Sequence, residues 1–206
     1  MKDFKSANFQ ILADIFTKYG SDKSTSHDYE FIYSYIFDKL GKDSKLNIFE
    51  IGLGTNNPAL ISTMGINGKP GASLYAFREY LQNSFIYGAD IDKEILFESE
   101  KINTCYVDQL NLNTFDEITK KFGNIKYDLI IDDGLHSIGA NFNTLLFALN
   151  NLNSNGWIII EDIAPHFIDN WKSIDFILST NSQYKTYIIK AKIAYVYVIN
   201  KLDITK

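Results

Sequence analysis

The sequence predicts a doubly wound α/β domain, a mostly parallel sheet with helices on both faces and an antiparallel hairpin at its C-terminal end. Three observations predict it. Short apolar runs, residues 46–52, 84–91, 127–132 and 156–162 among them, alternate with segments of helical periodicity. Their continuous apolar character suits strands buried on both faces, as in parallel sheets. Each unusual acidic cluster stands at the carboxyl end of such a run, where open α/β sheets bind their ligands.

The elements follow in order. Phe9 to Tyr19 puts Ile11, Leu12, Ile15 and Phe16 on one helical face, and Gly20 stops it. Tyr29 to Leu40 is a second helix, ended by Gly41. LNIFEIG is a strand. Residues 52–72, rich in Gly, Asn and Pro, are long for a connection in a compact domain and form a candidate functional loop. SLYAFREYL is a helix with Ser73 as its N-cap. SFIYGADI and INTCYVD are strands. TFDEITKKFG is a helix opened by a capping box of Thr114 and Glu117. YDLIID is a strand, ANFNTLLFALNNL a helix and GWIIIED a strand. Trp171 to Leu178 is a helix, and residues 184–191 and 193–200 alternate as a hairpin. Repeats are absent, so residues 1–206 form one domain, with 1–43 as a helical cap or lid on an α/β core of 44–206.

Composition narrows the function. The 206 residues suit one domain with a full core. A net charge of -5 argues against nucleic acid as the main partner. The single cysteine, Cys105, excludes a disulfide framework and fits a cytoplasmic protein. The N-terminus lacks the apolar core of a signal peptide, and no run reaches the length of a membrane span.

The strand ends carry the chemistry. FEIGLGTNNP sets Glu50 and then Gly52 and Gly54 directly after a strand, where backbone N–H groups can approach a ligand. Asn57 and Pro58 depart from the dinucleotide pattern, and GINGKPG fails as a phosphate loop. Asp90 ends the next strand, where an acid can bind both ribose hydroxyls. Asp90 and Asp92 also form an Asp-x-Asp pair of the kind that holds a metal in sugar-nucleotide glycosyltransferases, although Asp92 equally suits a helix N-cap.

Asp132, Asp133, Glu161 and Asp162 meet at neighbouring strand tips. Carboxylates so close need a shared cation or proton, and oxygen ligands suit Mg²⁺ or another hard divalent ion. His136 lies one helical turn from Asp133, and an imidazole accepts a proton near neutral pH. The constellation suits activation of a hydroxyl as nucleophile; acids that merely cap the next helices would leave the same pattern. Asp22, Lys23 and His27, in the loop YGSDKSTSHDYEF, either fold over the cleft and contact substrate or serve turns. His166, just past Glu161 and Asp162, is a substrate group or a surface residue.

Together, NIFEIGLGT, GASLYAFREYLQNSFIYGADID, YDLIIDDGLHS and GWIIIEDI resemble the class I S-adenosylmethionine-dependent methyltransferases, and more narrowly the metal-dependent sugar O-methyltransferases of the macrocin and mycinamicin type. The resemblance runs from KYGSDKSTSHDY to EDI. It implies a Rossmann-like seven-stranded sheet with a C-terminal antiparallel hairpin and extra N-terminal helices. It implies S-adenosylmethionine as cofactor, with Glu50, Gly52, Gly54, Ser73, Asp90, Asp108, Gln109 and Asp132 on its side of the site. It implies Asp133, Glu161 and Asp162 as ligands of Mg²⁺ or another hard divalent cation, and His136 as general base. Asp22, Lys23, His27 and His166 remain the candidates for substrate contact. The expected acceptor is a small molecule or glycan, free or nucleotide-linked, and a homo-oligomer is compatible with the extra helices. Residues 54–70 exceed the family's usual cofactor turn, and Leu135 and Ala140 replace residues that are often polar there. Two alternatives stand beside this reading: a metal-dependent sugar-nucleotide glycosyltransferase, and a cofactor-binding module without chemistry.

Overall fold

Side-chain alternation along the central strands divides the core into two layers. The computed structural model describes residue 4 and residues 6–204. In chain order the elements are α1 (Phe9–Tyr19), α2 (Glu30–Leu40), β1 (Asn47–Ile51), α3 (Ala72–Tyr80), β2 (Phe85–Asp90), β3 (Glu98–Ser99), β4 (Ile102–Tyr106), α4 (Asp116–Phe122), β5 (Tyr127–Asp132), α5 (Ile138–Asn151), β6 (Leu152–Ile163), α6 (Ile168–Ser179), β7 (Tyr184–Lys190) and β8 (Tyr195–Lys201). One face of the sheet packs Ile48, Leu129, Ile131 and Ile159 against Leu12, Phe16, Tyr33, Leu74 and Phe77 of α1–α3. The other packs Phe49, Ile51, Ile130, Ile158 and Ile160 against Ile118, Leu145, Ala148 and Trp171 of α4–α6.

The strands run in the order β3-β4-β2-β1-β5-β6-β8-β7. β4, β2, β1, β5 and β6 are parallel, and β8 and β7 add the antiparallel hairpin. The two-residue strand β3, antiparallel to β4, makes eight strands where seven were expected. The order reverses between β1 and β5, which places the ligand crevice at their carboxyl ends.

Two local expectations are corrected. α3 starts one residue early with Gly71 as N-cap and no side-chain cap, because the Ser73 hydroxyl is taken by Glu50. The Thr114–Glu117 capping box does not form. A 3-10 turn opens first, at Asn111, whose side chain accepts from Asn113 N, and the Thr114 hydroxyl donates to the Asp108 carbonyl. Among the described residues no helix is long and apolar enough to cross a membrane.

Cys105 is a core thiol, 5% exposed, and burial pushes its pKa up to about 12. Alkylation at pH 8 is therefore expected to run roughly a thousandfold slower in the native protein than in urea. A mass-spectrometric time course reads this, and labelling at the unfolded rate would contradict the burial.

Candidate functional site

Sheet register builds the site. Ile51 pairs with Ala89 and with Asp132, and Asp132 pairs with Ile160. The next residues, Gly52, Asp90, Asp133 and Glu161, therefore stand side by side at four strand ends. Gly52 has φ 93, and a Cβ there would overlap the Asp133 carbonyl, so only glycine lets these tips approach.

Alternation then sorts the acids. Glu50, Asp133 and Glu161 continue the face of Ile48, Ile131 and Ile159, the side covered by α1–α3. Lys23, in the turn between α1 and α2, reaches all three: its ammonium bonds Asp133 Oδ2 at 2.7 Å and Glu161, and lies 3.2 Å from Glu50 Oε1. Burial works to lower the Lys23 pKa, but Asp133 and Glu161 outweigh it and hold the ammonium charged. Burial raises Glu161 and Glu50 against the pull of Lys23. Two phenols complete the shell. Tyr33 donates to Glu161 Oε1 and Tyr29 to Asp162 Oδ1, each at 2.5 Å. Burial and the neighbouring Glu161 push both hydroxyls far up, so they stay donors.

Asp132 continues the opposite face. It is fully buried and accepts from Gln109 Nε2 at 2.8 Å and Asn141 Nδ2 at 3.0 Å. Gln109 also donates to Thr144 and accepts from Leu135 N, which locks the residues after β5 onto α5.

Asp133, His136 and Asp162 each offer a ligand atom within 4.8 Å of the others. Ligands 2.0–2.6 Å from one ion stand roughly 3–5 Å apart, so the Asp133 and Asp162 carboxylates can take a hard divalent cation between them, with the His136 imidazole beside it. His136 Nε2 lies 3.9 Å from Asp133 Oδ1 and 3.8 Å from Asp162 Oδ2, too far for hydrogen bonds. His136 and Asp162 both take left-handed backbone conformations, φ 55 and φ 53. Such conformations cost about 1–3 kcal/mol each and concentrate at functional sites.

A cavity of about 760 Å³ joins this group to the strand turns. Gly52, Gly54, Ser73, Asp90, Asp108 and Gln109 line it together with Asp22, Lys23, His27, Asp133, Glu161, Asp162 and His136. Residues 59–64 and 67–69 of the long loop form an outer wall.

No family model matches the sequence. The 8-demethyl-8-alpha-L-rhamnosyl tetracenomycin-C 2'-O-methyltransferase of Streptomyces olivaceus is 29% identical over 158 residues, 76% of this chain and 38% of the relative. MycE methyltransferase from the mycinamycin biosynthetic pathway, in complex with Mg and SAH, superposes with a TM-score of 0.70 at 22% identity, covering 95% of this chain and 56% of that one. A putative caffeoyl-CoA O-methyltransferase from Staphylococcus aureus superposes with a TM-score of 0.58 at 14% identity, over 95% of this chain and 100% of that one. The chain has a methyltransferase fold. It spans well under two thirds of the tetracenomycin relative and of MycE.

Within this methyltransferase fold the expected residues fall into three groups. On the cavity wall, Asp90 keeps its carboxylate in place through Leu53 N at 2.7 Å and Asp92 N at 2.8 Å. Asp108 accepts from Leu110 N, and the Gln109 side-chain amide donates to Asp132. Behind the wall stand Glu50 and Asp132: Glu50 Oε2 accepts from the Ser73 hydroxyl at 2.5 Å, and Asp132 serves α5. Asp132 thus braces the strand end, and Glu161, expected as a metal ligand, has both oxygens engaged by Lys23 and Tyr33. Outside the cavity lies His166, carried outward by the 3-10 turn Pro165–Phe167 and packed on Phe167. His27 is buried, its Nδ1 3.4 Å from Asp162 Oδ1 and its ring stacked on Tyr29. Tyr29 and Tyr33 were not among the expected site residues; their i,i+4 spacing, one face of a helix just after the Lys23 loop, is the signal the sequence carries for them.

Proposed function

We propose that this chain is an S-adenosylmethionine-dependent O-methyltransferase acting on a sugar-type hydroxyl, with a divalent cation at Asp133 and Asp162 and with His136 as base. The observation that carries the reading is the single cavity in which the glycine turn and Asp90 face the strained His136–Asp162 group. The cofactor would supply an electrophilic methyl group. The cation would lower the pKa of the acceptor hydroxyl. Asp90 retains free lone pairs for the ribose hydroxyls beyond its two backbone donors. Tyr29 and Lys23 hold Asp162 and Asp133 in place, and His136 takes the hydroxyl proton at Nε2.

The tetracenomycin relative is named for methylating a rhamnosyl 2' oxygen, and MycE has been solved with mycinamycin VI. The first name supports a glycoside acceptor. Leu60, Ile61 and Met64 on the outer wall suit an acceptor with an apolar portion beside its sugar. Asp92 argues against the glycosyltransferase reading. Its carboxylate accepts from Thr55 and from Glu94 N, capping a turn off the cavity wall, so it does not converge with Asp90.

Calorimetric titration of the metal-stripped protein with S-adenosylhomocysteine, with and without Mg²⁺, tests the reading. Cofactor binding is expected in both, with a separate heat for the metal. Turnover of a glycoside acceptor is expected to vanish on chelation and return with Mg²⁺. Full activity after stripping would sink the metal's role, and absence of cofactor binding would sink the whole proposal.

A further inference from the structure

The acid cluster has two halves that share Asp133. Its Oδ1 faces His136 and Asp162, the group that fits a divalent ion. Its Oδ2 faces inward, where Glu161 and Glu50 also point. Three carboxylates converging on one buried point are the donor set a hard cation takes. The occupant of that point is the Lys23 ammonium, 2% exposed. Glu50 Oε1 is buried, makes no hydrogen bond and faces the ammonium at 3.2 Å. In two-metal sites the ions stand about 3.5–4 Å apart, a spacing that a bridging carboxylate can span.

We infer that Lys23 takes the place of a second divalent cation and so keeps the site mononuclear. It is a positioning residue. It holds one Asp133 oxygen so that the other stays free for the outer ion, and it draws Glu50 and Glu161 onto its own ammonium. The backbone supports this placement: Lys23 opens from the 3-10 turn Asp22–Ser24, capped by the Ser21 hydroxyl. The ammonium carries a single charge on a fixed tether, so it offsets one of the inner negative charges without exchanging with solvent ions. Only the count for the outer ion rests on the proposed function.

The test counts ions. Metal-stripped wild type and Lys23→Met, which keeps much of the stem and removes the charge, are equilibrated with Mn²⁺ and assayed by elemental analysis. Electron paramagnetic resonance then looks for a spin-coupled pair. The variant is expected to hold one more ion per chain than the wild type. One ion rising to two supports both the inference and the outer site. None rising to one supports Lys23 as the stand-in for an inner cation and overturns both the outer site and the mononuclear count. Equal counts overturn the inference, whatever the wild-type number. Should Lys23→Met not fold, Lys23→Gln is counted in the same way. If neither folds in metal-free buffer, recovery of the fold with Mn²⁺ supports the inference, and failure to recover overturns it.

Discussion

His136→Ala is expected to lose about two to four orders of magnitude in turnover, the usual yield of a positioned general base. The variant is expected to bind S-adenosylhomocysteine as the wild type does, because His136 stands with Asp133 and Asp162 and makes no hydrogen bond to Asp90 or Asp108. The argument rests on placement. His136 Nε2 stands between Asp133 and Asp162 without bonding either, and it lines the cavity. His27 cannot substitute readily, since it is stacked on Tyr29 with Nδ1 against Asp162. Steady-state kinetics and two titrations, of cofactor and of Mn²⁺, separate the roles. Lost turnover with Mn²⁺ affinity intact fits a base. Lost turnover with Mn²⁺ affinity gone would make His136 a ligand instead, and normal turnover would remove it from the chemistry.

Asp132→Ala is expected to lower stability by about 2–4 kcal/mol, measured by urea denaturation, since it removes the buried acceptor of the Asn141 amide and one of the two acceptors of the Gln109 amide. Burial raises the Asp132 pKa, and the Asn141 and Gln109 amides pull against that rise. Asp132→Asn keeps the shape and part of the bonding, so it is expected to cost less. A stable Asp132→Asn protein that cannot bind S-adenosylhomocysteine would return Asp132 to the cofactor's side.

Adjacent aspartates with opposite duties show what the sequence made legible. The acids at the strand ends were readable because an apolar run that stops at a carboxylate sets a charge at the rim of the core, where a partner or a ligand must balance it. Their division was also available in principle. Successive side chains of a strand face opposite sides, so Asp132 had to follow Ile130 and Asp133 had to follow Ile131. What alternation could not supply was the identity of each side's partner. Gln109, read as a cofactor contact, was claimed by Asp132, Thr144 and Leu135 N. Ser73, read as a cap, was claimed by Glu50. Lys23 was named only as one of several loop residues, since nothing local in SDKSTSH says that the lysine turns inward. The helices fared better at their stops than at their starts. Gly20 and Gly41 end α1 and α2 as expected, whereas at the start of α3 Ser73 is drawn to Glu50, 23 positions back, and α4 is preceded by a 3-10 turn that Asn111 caps.

The distance in sequence between Lys23 and the acids it joins has a consequence for how the molecule assembles. Lys23 meets Asp133 across 110 positions and Glu161 across 138. A sheet that pairs β1, β5 and β6 before α1 and α2 dock gathers like charges at its tips with no counter-charge among them. Registration of the central strands is thereby penalised until the N-terminal segment arrives, and that segment gains its anchor only once the strands are registered. The charge cluster joins early and late parts of the chain, so that the carboxyl end of the sheet and the helices that cover it are expected to form in one cooperative step.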